Sequence, residues 1–150
     1  MKHLCLMLLA AAITSCAGPK TGVSAETPVA HTDLLGQWYL ENIVFNDSDY
    51  VRPADEVPGI RQYITFEDSS FYVQTNCNIF TGPYTTSGDS ISFSDWATTE
   101  MACDNMATED ALRRILPLLS TIEVESDTIV RINGHEGAGY MILRRATEKK

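Results

Sequence analysis

The chain has 150 residues, with 20 Asp and Glu against 11 Lys and Arg, a formal charge of −9. An acidic surface repels phosphate backbones and anionic bilayers, which argues against nucleic acid as a partner and against purely electrostatic membrane binding. With 44% hydrophobic residues there is material for one domain with a real core, and too little length for several.

Met1-Lys2-His3 is a short basic start, Leu4 to Ala12 is an unbroken apolar run, and Ile13-Thr14-Ser15 lead to Cys16. This is the pattern of a secretory signal peptide over residues 1–15, too short to span a bilayer as a mature helix. A cysteine directly after the small residues resembles the lipobox of bacterial lipoproteins. The resemblance implies a diacylglycerol on the Cys16 thiol, cleavage before Cys16 and acylation of the new amine. Buried acyl chains contribute about 0.8 kcal/mol per methylene, and stable anchoring takes two signals, which a diacylglyceryl group supplies. The alternative is an ordinary secreted protein with a chance cysteine at the cut site. Cleavage removes Lys2 and takes the formal charge to −10, leaving 135 residues.

Residues 16–33 hold the lipidated cysteine and a segment with Gly18, Pro19, Gly22 and Pro28 but no apolar period, which reads as a flexible tether. No acidic run follows Cys16, which resembles lipoproteins facing the periplasm, and Ala17 resembles the sorting pattern for the outer membrane. The expected location is therefore the outer membrane, lipid-anchored and periplasm-facing. The membrane is then a partner through Cys16.

The folded domain is expected over 34–146, with a short basic tail at 147–150. Trp38, Leu40 and Val44 alternate with polar residues, while Tyr39, Ile43 and Phe45 make the other face apolar, predicting a strand buried on both sides. Asn46 to Gly59, with two prolines and several acids, reads as a loop. Residues 62–66 and 70–74 flank Asp68-Ser69 as a hairpin, and 83–86 and 91–93 flank Ser87-Gly88-Asp89 as a second. Gly82 and Pro83 predict a bulge or an edge position.

One helix follows: Leu112, Ile115, Leu116 and Leu119 form a single apolar stripe at helical spacing. Asp104 is the predicted N-cap, Glu109 and Asp110 complement the helix dipole, and Pro117 should end or kink the helix after Leu116. Strands at 122–125, 128–132 and 140–144 complete the chain, the last two joined by a glycine-rich turn from Gly134 to Gly139. The expected fold is α+β: an antiparallel sheet or small barrel of seven to eight strands, with one helix inserted before the last three strands. Trp38, Phe66, Phe71, Phe93 and Ile129 are large enough to fill a small barrel.

Of four cysteines, Cys5 leaves with the signal peptide and Cys16 carries lipid, so Cys77 and Cys103 have one pairing open to them. An exported chain sits in a disulfide-permissive compartment, and a bridge is expected. The alternative is two buried free thiols.

Two segments then resemble a known family. Asn76-Cys77-Asn78-Ile79-Phe80-Thr81-Gly82-Pro83-Tyr84 is similar to its Cys-Asn-…-Gly-x-Tyr signature, and Thr99-Glu100-Met101-Ala102-Cys103 to its Thr-x-Met-x-Cys signature. Met106, Glu109, Leu112 and the early Trp38 fit as well. The family is the META domain, found in heat-shock lipoproteins of the HslJ type. The resemblance runs from about Leu34 to Arg145 and implies a non-enzymatic envelope or stress-response role. Asn76 stands where the family commonly has Gly, and Glu100 where a basic residue is common. Asn tolerates positive φ, so the first change is compatible with the same turn. The second reverses a charge.

Read as residues, Trp38, Asn78, Gly82, Tyr84, Thr99 and Met101 serve structure: amides satisfy turn backbone, Gly82 permits a conformation barred to others, and Met101 and Phe80 pack beside the bridge. Catalytic readings lack support. His135 with Cys77 or Cys103 would make a thiol dyad only if the cysteines were free. Only His31 and His135 survive cleavage as metal-binding imidazoles, and Asp104, Glu109 and Asp110 do not match a calcium loop. The glycines of 134–139 lack the Lys and Ser/Thr of a phosphate loop, and no cofactor is expected.

The function expected is that of a lipid-anchored envelope protein binding an unknown envelope protein, with a carrier of a small hydrophobic ligand in a half-open barrel as the alternative. Gly36-Gln37-Trp38 also matches a lipocalin opening, but the mid-chain helix is misplaced for one. Recognition is expected on exposed loops, with Asp47, Asp49 and Tyr50 in the long 46–56 segment and Trp96 after a strand as candidates. Trp96 has a second reading, a core tryptophan shielding the disulfide.

Overall fold

Alternation of large apolar residues with polar ones, repeated from Trp38 to Leu143, folds this chain into a closed antiparallel barrel; the computed structural model describes residues 33–147. Residues 1–15, Cys16 and most of the tether lie outside the described residues, as does nearly all of the basic tail. The strands are β1 (Gly36–Asn46), β2 (Asp49–Val51), β3 (Tyr63–Phe66), β4 (Ser70–Gln74), β5 (Ile79–Ser87), β6 (Ser90–Phe93), β7 (Ala97–Thr98), β8 (Leu119–Ser126), β9 (Ile129–Gly134) and β10 (Tyr140–Arg145). Eight of them pair in the order β1-β3-β4-β5-β6-β8-β9-β10, and β10 pairs back to β1. Short β2 lies on β1 and short β7 on β5. The thinnest join is β6 to β8, a bridge at Ser90 and Thr121 plus the Ile122 N–H donated to the Asp89 carbonyl at 2.6 Å.

The interior is packed. Trp38, Phe66, Phe71 and Phe80 are essentially inaccessible, and Ile43, Ile64, Ile132, Met141 and Leu143 fill the space between them. Phe93 meets Phe71 edge-on, with ring centroids 5.0 Å apart. A barrel of about eight strands is just wide enough for its own side chains to fill it, and this one is filled. That favours a packed core over the open hydrophobic carrier. Ile129 is a correction: it points to the outer wall, and its neighbours Val130 and Ile132 take the interior places.

The two-sided apolar character of β1 has a different cause from the one expected. Its register against β10 shifts between Leu40 and Asn42, a bulge that moves the inward set from Trp38 and Leu40 to Ile43. One extra residue in a strand flips every later side chain to the other face. Val44 therefore faces outward.

The expected loop after β1 is partly ordered into elements. Asn46 Oδ1 accepts the N–H groups of Ser48 and Asp49, both at 3.0 Å, and this side-chain turn folds β2 back onto β1. Pro53 then opens α1 (Pro53–Glu56), with its fixed φ suited to a first helical position. Residues 46–56 thus form an arm laid against the outer wall.

The long helix, α2 (Ala107–Ile115), begins later than its acids suggested. Asp104 does not cap it; Asn105 Oδ1 accepts the Ala107 N–H at 3.0 Å instead. The α-helix ends at Ile115, and Pro117 sits in a 3₁₀ turn, Leu116–Leu118, that leads into β8. Leu112, Ile115, Leu116 and Leu119 are all buried, as their stripe requires.

Gly82 and Pro83 form neither an edge nor a bulge. They lie within β5, where its neighbour on one side changes from β7 at Phe80 and Thr81 to β6 at Tyr84. Pro83 needs no donor on that side, and its carbonyl accepts the Ser94 N–H at 3.3 Å. Gly82 has no left-handed φ; its value is space. A Cβ there would lie 2.6 Å from the Trp96 Cα, so only glycine lets the chain between β6 and β7 cross so closely.

Candidate functional site

The signature residues converge at one end of the barrel. The turn from Thr75 to Asn78 joins β4 to β5, and Cys77 is bridged to Cys103 across 26 residues, with Cα atoms 6.2 Å apart. Asn78 is wholly buried and fully engaged. Its Nδ2 donates to the Met101 carbonyl at 3.0 Å, while its Oδ1 accepts the Met101 N–H at 2.8 Å and the Thr99 hydroxyl at 2.9 Å. Thr99 Oγ1 also accepts the Ile79 N–H at 3.0 Å. One amide side chain thereby holds a segment more than twenty residues away, which bears the second cysteine.

Met101 differs from the expectation of a packed side chain: the residue is 58% exposed, and it is its backbone carbonyl that lies beside the bridge, 3.5 Å from Cys77 Sγ. Its backbone is what the site uses. Asn76 does not occupy the left-handed region, which among the described non-glycine residues is confined to Asp95 and Glu136. Its side chain instead donates to the Asn105 carbonyl at 3.0 Å, and Asn105 in turn donates to the Glu56 carboxylate at 2.8 Å. The arm, the turn and the start of α2 are tied together by these two amides.

Glu109 lies in the first turn of α2, as expected, but it does more there than complement the helix dipole. It is buried completely. Its Oε1 meets the Thr75 hydroxyl and accepts the Asn78 N–H at 3.2 Å, while Oε2 has no hydrogen-bond partner among the described residues. Thr75 Oγ1 also accepts the Asn78 N–H at 2.8 Å. Asp104 and Asp110 are exposed, so the three acids are not gathered into a common site. A capping-box spacing does not flag Glu109, since its partners are 31 and 34 residues away.

Among the described residues no free thiol is present. Both sulfurs are in the bridge, and His135 Nδ1 lies 2.9 Å from the Leu118 carbonyl, committed to the turn before β10. Tyr84 is a core residue whose hydroxyl donates to the Glu67 carbonyl at 2.7 Å, and its ring meets Phe66 at 5.1 Å. Burial, and then the charges of Asp68 and Asp33, push its pKa upward. Trp38 donates its indole N–H to the Leu34 carbonyl at 2.7 Å, with Arg145 stacked 4.2 Å above its ring. Trp96 is half-buried: it packs on Phe80, ring centroids 5.6 Å apart, over the gap that Gly82 leaves.

A second region, on the outer wall where β1 meets β10, is hollowed rather than filled. Two hollows of about 190 and 400 Å³ lie along this seam beneath the arm, and both are lined by Asn42 and Arg52. Asp47, Tyr50 and Tyr140 line the smaller; Glu41, Asp55, Ile142 and Arg144 are among those lining the larger. Asp47 and Tyr50 are thus brought together, as their place in the 46–56 segment suggested. Asp49 is not with them, since it pairs with Arg114 of α2 at 2.7 Å. That hydrogen bond raises the Arg114 pKa, and its guanidinium also lies 3.7 Å over the Phe45 ring. Asp49 therefore fastens the arm.

Comparison with known proteins agrees with this architecture. A Burkholderia xenovorans protein solved by NMR superposes with a TM-score of 0.64 at 20% identity, covering 91% of this chain and all of its own. A DUF4847 family protein from Bacteroides vulgatus, a crystal structure, gives 0.52 at 10% identity over 77% of this chain and 96% of its own. At such identities these relatives speak to the fold alone. No curated protein matches the sequence significantly. The META domain family, by contrast, matches residues 32–147, which covers both signatures, the arm and the whole barrel; the chain belongs to the META domain family.

Proposed function

We propose that this chain is a lipid-anchored cell-envelope protein of the HslJ type, held through Cys16 on the periplasmic face of an outer membrane, where it acts as a non-enzymatic binding or envelope-maintenance module. The observation that carries this reading is the Cys77–Cys103 bridge in a domain that follows a lipobox-like run ending at Ser15-Cys16. Structural disulfides persist in oxidising compartments outside the cytosol, so the bridge and the leader point to the same address. Among the described residues no helix is long and apolar enough to cross a membrane. The META domain and its barrel neighbours are not known enzymes, and the signature side chains here are spent on hydrogen bonds within the fold. Binding therefore falls to the outer wall and its arm.

The test is fractionation of cells expressing the wild-type chain and Cys16→Ala. The variant should leave the membrane fraction and appear as soluble folded protein. Persistence of Cys16→Ala in the outer membrane after a salt wash would contradict the lipid anchor.

A further inference from the structure

The two hollows along the β1–β10 seam share a floor residue, Asn42, and a wall residue, Arg52, so a ligand longer than a single ring could lie across both. The larger falls within the range of about 300–1,000 Å³ seen for small-molecule sites. Asn42 Oδ1 is buried at this floor and accepts no hydrogen bond among the described residues. The Nδ2 of the same side chain is neither buried nor hydrogen-bonded among the described residues, so it is the atom that a ligand hydroxyl or carbonyl oxygen would meet in the hollow. Asn42 stands there because the bulge after Leu40 re-aims β1 at this point.

Apart from Asp47, the charges of the groove are paired. Arg144 lies 3.2 Å from Glu41, Arg52 4.0 Å from Asp55, and Arg131, beside the groove, 2.7 Å from Glu125. A site built for an anion or a polycation would keep a block of one sign unpaired. Here the guanidinium and carboxylate groups remain planar, exposed hydrogen-bonding partners without a strong net field. Tyr50 is 51% exposed and Tyr140 lines the same hollow, the latter held by Arg131 stacked 4.4 Å from its ring. Tyrosine faces present apolar surface with a polar tip, suited to a flat ligand that has carbon–hydrogen faces and a hydroxylated rim. Asp47, with no ion-pair partner among the described residues, adds an acceptor for such hydroxyls.

We propose that the β1–β10 seam beneath the 46–56 arm binds a short neutral oligosaccharide, with Tyr50 and Tyr140 as stacking surfaces and Asn42, Asp47 and Arg52 as hydrogen-bonding groups. The proposal rests on the reading of this protein as a binding module, and it deepens that reading by naming the ligand class.

The experiment is a titration of isotope-labelled purified protein, followed by backbone amide shifts, with chitotriose and with maltotriose at concentrations up to about 10 mM, where even millimolar affinity registers. At least one saccharide should shift the amides of Asn42, Val44, Tyr50, Arg52 and Tyr140, and Tyr50→Ala and Asn42→Ala should each weaken binding about ten-fold or more. Tyr50 is exposed and Asn42 makes no side-chain hydrogen bond among the described residues, so both variants should stay folded. No response to either saccharide, shifts confined to other faces, or unchanged affinity in Tyr50→Ala would overturn the proposal. So would a response at this seam to tetra-alanine or to spermidine in place of the saccharides. None of these outcomes reads the lipid on Cys16, so a failed titration removes the ligand while membrane release of Cys16→Ala stands or falls separately.

Discussion

The signature end of the barrel and the outer-wall arm use the same kinds of residue for opposite purposes. At the signature end, Asn78 has every polar atom of its side chain engaged and is wholly buried, and Cys77 is locked by its bridge. On the outer wall, Asn42 keeps a buried oxygen without a partner and Tyr50 stands half in solvent. A satisfied buried network specifies one arrangement of the chain and leaves nothing for a ligand. An exposed surface whose polar groups are not all spent within the fold does the reverse. The signature residues are therefore those that build the barrel, and on our proposal recognition belongs to the seam, where neither signature lies.

This contrast can be broken experimentally, starting where the effect should be largest. Reducing the Cys77–Cys103 bridge, or replacing both residues by alanine, should destabilise the domain by roughly 3–4 kcal/mol for a loop of this size on the chain-entropy account. Urea unfolding with and without reductant measures it. Asn78→Ala should cost about 3 kcal/mol in the same assay, because it orphans the Thr99 hydroxyl and both backbone groups of Met101. Gly82→Ala should cost about 1–3 kcal/mol, since its methyl would collide with the Trp96 backbone, which cannot swing aside as a flexible side chain could.

Tyr84 sharpens the comparison through pH. Its folded pKa is raised, chiefly by burial, so its contribution is fully present below the ordinary tyrosine value and is lost as pH rises through the folded value. Above that ordinary value the unfolded chain binds fewer protons than the folded one, and stability should fall. Unfolding midpoints across the alkaline range should show this fall, weakened in Tyr84→Phe. The smallest stability effect is expected on the arm: Tyr50→Ala should change unfolding free energy by no more than about 0.5 kcal/mol.

Much of the barrel was legible because it depends on short-range pattern. The hairpin around Asp68-Ser69, the apolar stripe from Leu112 to Leu119 and the stop at Pro117 follow from spacing and turn chemistry, and the structure contains them. What was not legible depends on distant partners or on one added residue. The bulge after Leu40 leaves no mark in residue type, yet it turns Ile43 inward and places Asn42 at the seam. Glu109 looks like a surface acid at a helix start, and only the return of the chain to Thr75 and Asn78 makes it a buried brace. The reason for Gly82 lies in Trp96, fourteen residues on, which no local rule connects to it. Of the candidate site, Asp47 and Tyr50 were visible as part of a long polar segment between strands. Asn42, Arg52 and Tyr140 were not, because they reach the seam from β1, the start of α1 and β10.

The signature residues act as a structural brace, and the amide of Met101 reports on this most directly. Its side chain is exposed and its neighbours are in a segment without helix or strand, so on exposure alone it should exchange as a surface loop does. Its N–H, however, is donated to the buried Asn78 side chain. Native-state hydrogen exchange should find this amide protected to nearly the level of the barrel core and deprotected in Asn78→Ala. Exchange of the wild-type Met101 amide at the rate of an open surface loop would contradict the brace.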